Sequence, residues 1–68
     1  MLGEQHLYVA ISINNLALLY RDQEKYDTAE LLYLQALEIA EMVLGENHLN
    51  TKTFRANLNY LREQQQDS

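Results

Sequence analysis

Apolar residues return at helical spacing in three blocks of this chain. Val9, Ile13, Leu16, Ala17 and Tyr20 fall at i, i+4, i+7, i+8 and i+11, which predicts one buried stripe on a helix over about 7–22. Leu19 widens that stripe. Ala29, Leu32, Tyr33, Ala36, Leu37, Ala40 and Val43 carry the same period through 26–43, with no Gly or Pro to interrupt the hydrogen bonding. Phe54, Leu58 and Leu61 place a third helix over 50–63, with Asn50 or Thr51 offered as its N-cap. Gly45 tolerates a left-handed C-cap and is expected to end the second helix. Residues 64–68 are polar and read as a frayed tail. The expected fold is all-α, in one small domain over 1–68.

The segment Leu2-Gly3-Glu4-Gln5-His6-Leu7 returns 42 residues later as Leu44-Gly45-Glu46-Asn47-His48-Leu49, and Asn15-Leu16 with Leu19 returns as Asn57-Leu58 with Leu61. Over residues 2–22 against 44–64 there are eight identities, concentrated at the junction and on one helix side. A period of that length marks units that cannot bury their apolar faces alone, so function belongs on a stacked surface and not in a pocket.

Charge and composition narrow the choice of partner. The chain carries ten acidic and five basic residues, net −5, which opposes a phosphate-binding surface and argues against nucleic acid. No apolar run approaches the roughly eighteen residues needed to span a bilayer, and the N-terminus lacks the basic and apolar regions of a signal peptide. The expected protein is soluble, unexported and cytoplasmic. Without cysteine there is no disulfide to compensate for the small core of a 68-residue chain, which makes self-association attractive.

The run Asn14-Asn15-Leu16-Ala17-Leu18-Leu19-Tyr20, followed by Tyr26-Asp27-Thr28-Ala29, Tyr33 and Ala36-Leu37, resembles a tetratricopeptide repeat. Leu16, Ala17, Tyr20, Tyr26, Ala29, Tyr33 and Ala36 stand at its signature positions. The 42-residue spacing with Leu-Gly-Glu-x-His at the junction is similar to the longer kinesin light chain-type subclass. The resemblance implies a helical hairpin over 7–43 followed by part of a second repeat. Two departures from the family stand out: Glu24 occupies the turn position where Gly is common, and the chain has no Pro. Asp22-Gln23-Glu24-Lys25 contains good helix formers, so Gln23 and Glu24 are a candidate hinge at which the helix runs straight.

The helices that the two copies open differ on their outer sides. Asn59 and Arg62 replace Ala17 and Tyr20, which makes the outer side of the third helix polar and identifies it as a C-terminal cap. Helix one has no such cap, so Leu16 and Leu19 are expected to form an open apolar face, joined by Leu31, Leu34 and Met42 of helix two. A homodimer is predicted, formed by docking of those faces or by exchange of helices through a straightened Glu24 segment.

On the other side, Ile11, Asn14, Asn15, Leu18 and Arg21 of helix one and Thr53, Asn57 and Tyr60 of helix three form the candidate peptide-binding face. The resemblance maps the family asparagine that contacts peptide backbone onto Asn15 and Asn57; an amide both donates and accepts, which suits backbone recognition. Helix-to-helix hydrogen bonding is the competing role for the same two residues. His6 with Glu4 and His48 with Glu46 are weighed as metal ligands and assigned instead to turns or caps. No cofactor, metal or catalytic set is expected. The leading function is a protein-interaction module that self-associates; the alternative is a structural oligomerisation element or repeat fragment with no groove ligand.

Overall fold

A computed structural model describes the backbone of residues 2–67 and the side chains of residues 6–65. These residues form three helices and no strand: α1 (Leu2–Asp22), α2 (Tyr26–Leu44) and α3 (Leu49–Asp67). α1 and α2 make an antiparallel hairpin, and α2 is central, packing on α1 through one side and on α3 through another. The three helices lie in a thin slab of 41 × 20 × 13 Å. α1 begins before residue 7, and α3 runs past Glu63 through Asp67, so Gln64 and Gln65 are helical where the polar composition predicts a frayed tail. Ser68 lies outside the described residues.

Small side chains bring α1 and α2 together. Ala10 and Ala17 on α1 and Ala29, Ala36 and Ala40 on α2 are fully buried, which lets the two backbones approach closely. Tyr33, Leu58 and Leu61 complete the cluster around Ala17 and Ala29, while Phe54 of α3 completes the one around Ala36 and Ala40. Half-buried Leu37 packs against both. The buried side of α1 is therefore rotated from the stripe read in the sequence. Ala10, Asn14 and Ala17 face the core, and Val9, Leu16 and Leu19 stay exposed because the close α1–α2 crossing selects the small residues.

The segment at Glu24 turns, contrary to the straight helix that its residues allow. Glu24 has φ 63, a left-handed conformation in a non-glycine residue. Its N–H donates to the Arg21 carbonyl at 2.9 Å, and the Lys25 N–H donates to the Tyr20 carbonyl at 2.9 Å. That pair of bonds is the Schellman motif, with Glu24 at the position usually held by Gly. The Lys25 ammonium sits 5.7 Å from the Tyr20 ring centre, giving the motif its accompanying side-chain contact. The hinge is closed and α1 folds back on α2 of the same chain.

Gly45 ends α2 as its sequence position predicts, but with φ 87 and ψ 166 in place of the left-handed helical cap, and its N–H donates to the Glu41 carbonyl at 3.1 Å. α3 is capped by neither Asn50 nor Thr51. The Asn50 N–H donates to His48 Nδ1 at 3.1 Å, and the Lys52 N–H donates to the His48 carbonyl at 3.0 Å, so His48 is the cap. Two ion pairs then bracket the α2–α3 contact: Arg55 with Glu41 at 3.1 Å and Arg62 with Glu30 at 2.9 Å.

Candidate interaction site

α1 and α3 run in the same direction along one side of the slab, and two contacts hold them in register. Asn57 Nδ2 donates to Asn14 Oδ1 at 3.3 Å. Near the far end of α1 the Arg21 guanidinium lies 5.7 Å from the centre of the Tyr60 ring. Arg21 is also in the last turn of α1, where a cation is favoured by the helix dipole. Between these ties, the proposed peptide face divides by role.

Asn15 is exposed, and Tyr60 presents half its surface to solvent. Asn14 is buried and committed to Asn57, so the helix-to-helix role considered for the two equivalent asparagines belongs to Asn57 and involves Asn14, not Asn15. Thr53 spends its hydroxyl within α3, donating to the Leu49 carbonyl at 3.0 Å. Ile11 and Leu18 are half-buried and pack against the core, forming the floor of the face. Asn15 and Tyr60 thus expose an amide and a phenol ring, while the half-buried Arg21 guanidinium is shared with Asp22 Oδ1 at 3.5 Å.

The residues read as a dimer surface do not form one patch. Leu16 and Leu19 are exposed on α1, and Leu31 and Met42 are exposed on α2. Leu34 is half-buried and packs against the core cluster that contains Tyr33, Leu58 and Leu61. Val9 shares the exposed side of α1 with Leu16 and Leu19, although the apolar spacing alone assigns it to the core. The 42-residue shift holds the correcting signal, since it pairs exposed Leu16 and Leu19 with buried Leu58 and Leu61.

Burial of Tyr33 pushes its phenol above the ordinary value of 10.0; Arg21 opposes the shift and Asp22 adds to it. Its hydroxyl is buried with no hydrogen-bond partner among the described residues. His6 is exposed, and the Glu4 side chain weighed beside it lies outside the described residues. His48 has the capping role expected of it. Among the described residues no three potential ligands converge on a metal position, and no described helix is long and apolar enough to cross a membrane.

An antiparallel pair of helices crossing on alanines, extended by a third helix that repeats the first at 42 residues, defines a helical-repeat unit. A tetratricopeptide-repeat family model matches residues 9–50, more than half of the chain, and the chain belongs to the tetratricopeptide repeat family. The match spans one 42-residue period and is compatible with the kinesin light chain-type subclass. Comparison with curated proteins and with solved structures returns no match. Repeats of this family are scaffold modules for protein contacts and not enzymes, and α3 is the capping helix of this one.

Proposed function

We propose that this repeat unit is an adaptor that holds an extended segment of another protein across the face shared by α1 and α3, and that it self-associates through the uncapped apolar side of α1. Exposed Asn15 is the observation that carries the first part: it offers a donor and an acceptor beside the half-buried Leu18 floor, at the position that matches the family's backbone-binding asparagine. Arg21 and Tyr60 extend the face toward the C-terminal end of α1. Asn57 supports the face from below, since its amide N–H is engaged by Asn14. The test is binding to an array of extended peptides. Asn15→Ala is expected to weaken the best binder about tenfold, as loss of a backbone amide contact should. Binding unchanged by Asn15→Ala would favour the second reading, an element whose oligomerisation is itself its function. The Asn14–Asn57 bond speaks for that reading, because it spends one of the two candidate amides on structure.

A further inference from the structure

The 42-residue symmetry sets each position of α1 against one of α3, and one face has opposite fates in the two helices. Val9, Leu16 and Leu19 are 49%, 41% and 52% exposed, while their counterparts Thr51, Leu58 and Leu61 are 0%, 3% and 0% exposed beneath α2. Exposed Ser12 stands where buried Phe54 stands. Two arginines of α3, Arg55 and Arg62, pair with Glu41 and Glu30 of α2, and their α1 counterparts are Ile13 and Tyr20. α1 therefore lacks the cations that an acidic α2-like helix uses to dock. Such a helix would bring its carboxylates against uncharged surface.

An uncharged face in a chain of net charge −5 fits the one partner whose matching face is equally free of charge. We infer that the occupant of this face is the same face of a second copy: Val9, Ser12, Ile13, Leu16 and Leu19 of one α1 pack against those of another about a two-fold axis. Ser12 in place of a phenylalanine leaves the stripe flat, so two helices can approach to about 8–10 Å between axes. The assembly closes at two copies because each α1 face is consumed in the pair and the outer side of α3 carries polar Asn59 and Arg62. Leu31 and Met42 play no part in it. The pairing rests on the self-association proposed above and gives it a surface and a symmetry.

Light scattering and sedimentation of the full chain across micromolar concentrations provide the test. The expected species has twice the 8.0 kDa chain mass. Leu16→Gln with Leu19→Gln should raise the dissociation constant at least about tenfold while helical circular dichroism is kept, since both side chains are exposed in the single copy. Leu31→Gln with Met42→Gln should leave it unchanged. A single-copy mass at every concentration overturns self-association and the α1 pairing together. A dimer insensitive to the Leu16 and Leu19 changes overturns the α1 pairing alone, and assemblies larger than two overturn the closed symmetry. Because the chain has no cysteine, Ser12→Cys supplies a unique spin-label site, read without altering the leucines. Labels close together across the two copies support α1-to-α1 pairing, and widely separated labels overturn it.

Discussion

Tyr33 contributes its ring to the centre of the core, but its hydroxyl is buried without a hydrogen-bond partner among the described residues. Desolvating that hydroxyl costs about 1–3 kcal/mol when nothing compensates. Tyr33→Phe keeps the ring and removes the cost, so it should stabilise the fold by about 1 kcal/mol in urea unfolding. A neutral or destabilising result would mean that the hydroxyl is satisfied. The same group sets an alkaline limit. Its folded-state pKa is raised above the unfolded value of 10.0, so the neutral form is favoured by folding. Its contribution is complete below pH 10.0 and is lost as pH rises through the folded value. Tyr33→Phe should therefore flatten the decline of stability above that pH, a change visible by repeating the unfolding in alkaline buffers.

At the scale of elements, the two turns show opposite solutions to ending a helix. Gly45 reaches φ 87 without steric cost, whereas Glu24 holds φ 63 against the crowding of its Cβ. Replacing Glu24 by Gly removes that crowding and keeps both Schellman bonds, which are made by the backbone. Thermal unfolding should show Glu24→Gly more stable by about 1 kcal/mol, and a loss of stability would show that the left-handed turn carries little strain. At the start of α3, His48→Ala removes the acceptor for the Asn50 N–H and should cost about 1 kcal/mol, while His48→Asn should retain most of the cap. Amide exchange at the first turn of α3 separates the two variants from a global change. The left-handed Glu24 does not follow from residue propensity, since nothing in Glu favours a positive φ, whereas the histidine cap agrees with the turn-or-cap role read at the repeat junction.

At the scale of the whole molecule, the three helices fill 41 × 20 × 13 Å with α2 central. α2 is the best covered because it has a neighbour on two sides, and its alanines and Tyr33 are fully buried as a result. α1 packs mainly on α2 and meets α3 through Asn14 and Arg21, so its Val9, Leu16 and Leu19 side stays uncovered. That difference leaves Leu16 and Leu19 of α1 exposed and keeps Leu58 and Leu61 of α3 in the core. A concentration series should accordingly show the apparent stability of the chain rising with protein concentration, as mass action requires when only the folded form associates. A midpoint independent of concentration would place the monomer's stability in the hairpin alone. Asn15 lies within one helical turn of both Ser12 and Leu19, so the proposed peptide face adjoins the proposed pairing stripe on α1.

The helical period, the 42-residue repeat, the Gly45 stop and the polar outer side of α3 were all legible in the sequence, since each rests on local spacing or on the chemistry of a single residue. Family membership was legible for the same reason. The candidate site was legible only as a set of positions. That Asn14 and not Asn15 meets Asn57 and that Leu34 packs against the core depend on which atoms lie across a gap from residues far away in the chain. The turn at Glu24 is the plainest case: local preference allows a straight helix, and the packing of α1 on α2 together with two backbone hydrogen bonds outweighs it. Likewise Leu16 and Leu58 are the same residue at the same place in the repeat, and only the presence of α2 beside one of them makes it core and leaves the other as surface.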